Sequence, residues 1–141
     1  SGTAEPALAR ILQRFLEPRL ARGRRVCVGL SGGLDSVVLL HGLSRLCASG
    51  LACELSAVHV HHGLSPHADA WADFCRQLCE RLEVALAVER VEVPRATGDG
   101  LEAAARRQRL AVFARCPADW LALAHHRDDQ AETVLFRLVR G

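Results

Sequence analysis

Five apolar residues, Val26-Cys27-Val28-Gly29-Leu30, run into Ser31-Gly32-Gly33 and then into a helix-patterned stretch reaching about Ser49. A run this short and this apolar reads as a strand covered on both faces, as in a parallel sheet. The glycines turn the chain, and Asp35 or Ser36 is placed to cap the helix that follows. The same alternation then recurs. Leu51–Val60 reads as a strand, and Pro66–Leu82 as a helix with Trp71, Phe74, Cys75, Leu78 and Leu82 on one stripe. Leu86–Val93 is a strand stopped by Pro94, and Leu101–Arg115 a helix after the loop Ala96–Gly100. Trp120–Ala124 is a fourth strand and Asp128–Arg140 a closing helix, while Pro6–Leu20 forms an amphipathic lead-in helix within residues 1–22. Strands alternating with helices imply right-handed crossovers and an α/β fold with a parallel sheet covered on both faces. Such sheets bind ligands at the carboxyl ends of their strands, where the winding reverses. The residues just after Leu30, Val60, Val93 and Ala124 are therefore the ones to examine.

Composition narrows the class further. The 141 residues suit one domain, and 50% hydrophobic with 24% charged residues excludes global disorder. No apolar run approaches the roughly 18 residues of a membrane span, and no secretory leader is read at the start, so a soluble cytoplasmic protein is expected. All 18 basic residues are Arg; Lys, Asn, Tyr and Met are absent and Ile11 is the one isoleucine. That skew follows codons poor in A and T, so arginine abundance says little about nucleic acid, and the net charge is only +2. Cys27, Cys47, Cys53, Cys75, Cys79 and Cys116 fall in apolar segments without any Cys-x-x-Cys pair and are expected to be buried free thiols.

The sharpest motif is Ser31-Gly32-Gly33-Leu34-Asp35-Ser36. Glycines let backbone N–H groups approach an oxyanion, the helix start adds a favourable dipole, and the serine hydroxyls can donate to phosphate oxygens. Asp35 would repel bare phosphate, so the motif asks for a polyphosphate complexed with Mg²⁺. The usual nucleoside triphosphatase loop needs a lysine, which this chain lacks. The segment resembles the PP-loop of the ATP pyrophosphatase superfamily, whose enzymes split ATP between its α and β phosphates and adenylate an oxygen.

Three further segments bear chemistry. His59-Val60-His61-His62 follows the second strand; alternation prevents the imidazoles from converging by spacing alone, leaving pocket-rim or structural hydrogen bonding. On the third helix Glu102, Arg106, Arg109 and Phe113 share a face, where arginines can meet phosphate or simply pair with Glu102. After the fourth strand comes His125-His126-Arg127-Asp128-Asp129-Gln130-Ala131-Glu132-Thr133. There Asp129 and Glu132 would share the first helical turn, either as a capping box or as carboxylates holding Mg²⁺ or an ammonium group.

In this order the segments resemble the tRNA(Ile)-lysidine synthetase family from about Val26 to Gly141, closing on Arg140-Gly141. The resemblance implies a Rossmann-like adenine nucleotide alpha hydrolase (PP-loop) fold, truncated at its C-terminal side. Residues 1–141 would be the N-terminal ATP-binding catalytic domain of a longer chain. It implies an ATP-dependent ligase that adenylates the C2 oxygen of the wobble cytidine in the CAU anticodon of tRNA(Ile). Free L-lysine then forms the new C–N bond, with AMP and pyrophosphate released. By the same resemblance Ser31, Gly32, Gly33, Leu34, Asp35 and Ser36 hold ATP phosphates and Mg²⁺, with Asp35 essential. Arg109, Asp129 and Glu132 act around nucleotide and lysine, and His59, His62, Arg106, His125, His126 and Asp128 line the rim. A homodimer is compatible with this reading. The sequence departs from the family at His61, often Asn, and at Leu110, commonly an aromatic. The alternatives are a tRNA-thiolating PP-loop enzyme, against which the missing Cys-x-x-Cys argues, and a non-catalytic nucleotide- or RNA-binding module.

Overall fold

The computed structural model describes the backbone at residues 4–30, 34–61, 63, 66–92, 100–127 and 130–138. The chain runs α1 (Ala4–Leu20), β1 (Arg25–Leu30), α2 (Leu34–Ala48), β2 (Glu54–His61), α3 (Ala68–Leu82), β3 (Ala85–Arg90), α4 (Leu101–Ala114), β4 (Trp120–Arg127) and β5 (Gln130–Leu138). One sheet has the order β3-β2-β1-β4-β5. The first four strands are parallel, as the alternation predicts.

Side-chain parity in β1 divides the core. Val26, Val28 and Leu30 face a cluster built with Leu12 and Leu16 of α1, Leu39, Leu40 and Leu43 of α2, and Cys75 and Leu78 of α3. Cys27 faces the other way, with Val58 and Val60 of β2 and Val112 and Phe113 of α4. Burial on both sides is why β1 has no polar alternation. The β1–α2–β2 and β2–α3–β3 crossovers step one way and keep their helices on one face. The chain then returns past β1 to β4, and α4 packs on the opposite face.

Gly29 belongs to this arrangement. A Cβ there would lie 2.5 Å from Cδ2 of Leu123 and 3.0 Å from Cζ of Phe113, so the bare backbone lets α4 and β4 close onto β1. At the amino end of the sheet the backbone N–H of Arg25 donates to Asp119 Oδ2 (3.0 Å), and Trp120 Nε1 donates to the Gly23 carbonyl (3.0 Å). The Arg25 amide is the main reason the Asp119 carboxyl lies below its ordinary pKa.

Three expectations need correction. Residues 128–140 do not supply a closing helix: Gln130–Leu138 is β5, antiparallel to β4, with Trp120 opposite Leu138 and Arg127 opposite Gln130. Without β5, the outer edge of β4 would leave its N–H and C=O groups unpaired. The run Thr133-Val134-Leu135-Phe136, β-branched and aromatic, suits a strand. Second, Cys47 and Cys53 are not free thiols but a disulfide. They flank the tight α2–β2 turn at Gly50 (φ +113°), which brings their Cα atoms to 6.1 Å, within bridging range. Cys27, Cys75, Cys79 and Cys116 remain free. Third, α2 begins at Leu34, so Asp35 and Ser36 sit inside its first turn and do not precede it as caps.

Candidate functional site

The winding reverses between β1 and β4: from β1 the chain moves toward β2, and only later crosses back to β4. Among the described residues the β1–β4 ladder pairs Val26 with Trp120, Cys27 with Leu121 and Val28 with Ala122, and goes no further. Both strands continue beyond it, β1 to Leu30 and β4 to Arg127. The sheet is therefore unzipped at its carboxyl end just where a doubly wound sheet takes its ligand.

Around this mouth the described groups are few and specific. The N-terminus of α2 opens on it, with Leu34 exposed, Asp35 half-buried and Ser36 buried. A helix start concentrates unpaired N–H groups and partial positive charge, which favours an anion. Asp35 then supplies one carboxylate, a donor set that suits a magnesium ion carrying most of its ligands as phosphate oxygens and water. Ser31, Gly32 and Gly33 lie outside the described residues.

From β4, the backbone of His125, His126 and Arg127 reaches the same end of the sheet, and β5 starts beside it, with His125 opposite Thr133. Glu132 lies within β5, so it shares no helical turn with Asp129, and neither the capping box nor a one-turn carboxylate pair forms. Asp128 and Asp129 lie outside the described residues. Arg109 is half-buried on α4, one helical turn nearer the mouth than Phe113; Arg106 lies on the same helix.

The histidines separate. His59 is buried, and its Nδ1 lies 2.7 Å from the Leu30 carbonyl; a carbonyl cannot donate, so Nδ1–H does. The structural alternative thus describes His59 better than a solvent-facing rim. His62 lies outside the described residues. His61, which the resemblance left out of the rim, is also buried and donates from Nε2 to Asp69 Oδ1 of α3 (2.7 Å). Arg90 at the end of β3 approaches the same carboxylate at 3.9 Å. The His61 hydrogen bond, then its charge, holds the exposed Asp69 carboxyl below its ordinary pKa. Residues 59 and 61 share a face by strand parity, a readable signal, but nothing local indicates Asp69 eight positions on.

The thiols lie apart from this mouth and are quiet. Burial, and then the neighbouring Cys116, pushes Cys27 up to about 12, and burial pushes Cys75 up to about 11. Neither forms a nucleophilic thiolate near neutral pH.

A crevice at the switch point, an anion-favouring helix start and an acidic residue in its first turn define a nucleotide-binding α/β domain. Residues 4–141 match the PP-loop domain family, and the chain belongs to it. Within that family it is similar to tRNA(Ile)-lysidine synthases: 61% identical over 117 residues to that of Azoarcus sp., covering 83% of this chain and 26% of the relative. Against the synthase of Aromatoleum aromaticum it is 53% identical, covering 86% of this chain and 29% of the relative. The chain thus spans less than a third of the length of these relatives. Among solved structures, the U34-tRNA thiolase NcsA of Methanococcus maripaludis matches with TM-score 0.64 and 19% identity, over 84% of this chain and 44% of that one. An NH3-dependent NAD synthetase of Campylobacter jejuni matches with TM-score 0.56 and 19% identity, over 77% and 49%. At such identities these two bear on the fold alone.

Proposed function

We propose that residues 1–141 form the N-terminal catalytic domain of a tRNA(Ile)-lysidine synthetase, an ATP-dependent ligase working in the cytoplasm. The single observation that carries this is the 61% identity over 117 residues to a tRNA(Ile)-lysidine synthase. No described helix is long and apolar enough to cross a membrane.

In this reading magnesium–ATP enters as substrate between the carboxyl ends of β1 and β4. Residues 31–36 bind its phosphates, and Asp35 supplies the protein's oxygen to the magnesium. The C2 oxygen of the wobble cytidine in the CAU anticodon attacks the α-phosphorus; the bond to the β-phosphate oxygen breaks and pyrophosphate leaves. Arg109 offsets the charge that develops on the α-phosphate. The amine of free L-lysine, in its neutral form, then attacks C2, and AMP departs with the C2 oxygen. Asp129 and Glu132 hold the lysine and take up its proton. His62, Arg106, His125, His126 and Asp128 complete the rim, in contact with nucleotide and tRNA. The test is incubation of the full-length protein with ATP, labelled lysine and isoleucine tRNA bearing CAU. Lysine-dependent AMP and pyrophosphate release, with label entering the tRNA, is expected. Release that requires ammonia or a sulfur donor instead would overturn the reading, as would ATP binding without turnover.

A further inference from the structure

We propose that Cys47–Cys53 is a reversible redox site, a dithiol pair that closes and reopens without disturbing the fold around it. A bridge can do this only if something else holds its two ends together. Here the backbone does. At the end of α2 the Ser49 N–H donates to the Arg45 carbonyl (2.9 Å), that of Gly50 to Cys47 (3.3 Å) and that of Leu51 to Leu46 (3.0 Å). Gly50 takes the positive φ of +113° that lets a helix end in this way. On the far side the Cys53 N–H donates to the Leu51 carbonyl (2.9 Å), and that of Glu54 donates to Arg24 (2.8 Å), starting β2 beside β1. Leu46 is buried, and Leu51 and Cys53 pack against the same core. The turn is thus held by contacts that survive opening of the sulfur–sulfur bond.

The bridge itself adds little. Its cysteines are six positions apart, and a ring this short removes little conformational freedom from the unfolded chain. Both are half-buried, and Ala48, Ser49, Gly50, Ala52 and Glu54 around them are exposed, so a small thiol can reach the sulfurs. Cys27, Cys75 and Cys79, by contrast, are buried. The inference takes its compartment from the proposed function: a cytoplasmic thiol pool opens disulfides that secreted proteins would keep. Reduction proceeds by exchange. A glutathione thiolate attacks one sulfur, the Cys47–Cys53 bond breaks, and the released sulfur takes up a proton. A second glutathione thiolate attacks the glutathione sulfur of the mixed disulfide, and the other cysteine leaves and is protonated. The protein has then gained two electrons and two protons, and two glutathiones have become one glutathione disulfide. Oxidation by glutathione disulfide is the reverse. Leu39, Leu40 and Leu43 are buried along α2 between this turn and Asp35, so opening the bridge loosens the last turn and leaves the first in place.

The test equilibrates the full-length protein without oxygen in buffers of graded glutathione to glutathione disulfide ratio. Acid quenching, alkylation and peptide mass spectrometry then count free thiols at Cys47 and Cys53. The bridged fraction should rise with the disulfide share and fall again when the ratio is restored. Reduction should lower the thermal midpoint by no more than about 5 °C. Amide exchange at Ser49, Gly50 and Leu51 should become about tenfold faster, and Cys47→Ser should match the reduced wild type. Magnesium–ATP affinity should agree within about twofold between the two states. A bridge that opens only when the protein unfolds would overturn the inference, because it would be a structural staple. So would thiols that never pair in the most oxidising buffer, or exchange that is the same in both states. If the protein binds no ATP in either state, the ATP reading fails, and the thiol count and amide exchange still decide the role of the pair.

Discussion

Replacing Gly29 with alanine probes how tightly α4 must close on the sheet. The added methyl would lie 2.5 Å from Leu123 Cδ2 and 3.0 and 3.2 Å from Cζ and Cε1 of Phe113. The Leu123 methyl is the end of a flexible side chain and can rotate away; the Phe113 ring is rigid, 5% exposed, and must retreat with its helix. Overpacking of this kind costs roughly 1–3 kcal/mol. Stiffening of the unfolded chain by Gly→Ala returns about 0.4–1 kcal/mol. The net loss is then about 1 kcal/mol, read as roughly fivefold faster exchange of the β1 amides in the full-length protein. Because Arg109 lies one turn along α4 from Phe113, the same displacement moves its guanidinium, and kcat/KM for ATP should fall about tenfold or more. Leu123→Ala removes the closest atoms, so the double variant should exchange more slowly than the sum of the single effects requires. Unchanged exchange in Gly29→Ala, or strict additivity with Leu123→Ala, would refute the close-approach argument.

Other consequences can be checked directly. Asp69 has a depressed pKa in the fold, so its contribution is present above its ordinary value near 3.8 and is lost as pH falls through the lower folded value. Wild type should therefore be more stable than Asp69→Asn at pH 6, with the difference closing at pH 2–3 in paired thermal melts; a constant gap would count against the His61–Asp69 bond. Alkylation at pH 8 should modify Cys116, which is partly exposed, well before Cys27, whose thiol is pushed up to about 12; mass spectrometry showing Cys27 labelled first would contradict its burial. Glu132→Gln should impair lysine use more than stability, because Glu132 lies in β5 and caps no helix. Lost stability with normal lysine kinetics would oppose that role.

The alternation of apolar runs with amphipathic stretches made the four parallel strands and the four helices from α1 to α4 readable, because burial on both faces leaves β1 without polar residues. The rule for such sheets marked the residues after Leu30, Val60, Val93 and Ala124, but that the ends of β1 and β4 are the neighbours at the reversal is fixed by the strand order. β5 was not, because Asp129-x-x-Glu132 imitates a helix start and the unpaired edge of β4 that recruits residues 130–138 exists only in three dimensions. The Cys47–Cys53 bridge was hidden for a similar reason: apolar surroundings predict burial, whereas pairing depends on the turn at Gly50. Gly29 carried a signal, since glycine inside a buried strand marks close approach, but its partners Phe113 and Leu123 lie far along the chain.

Crystals of the full-length protein with magnesium and a non-hydrolysable ATP analogue give the most direct measurement. The account predicts the triphosphate over residues 31–36 at the start of α2, in the opening between the ends of β1 and β4, with Asp35 on the magnesium side. Nucleotide bound elsewhere, with that opening filled by protein side chains, would contradict it.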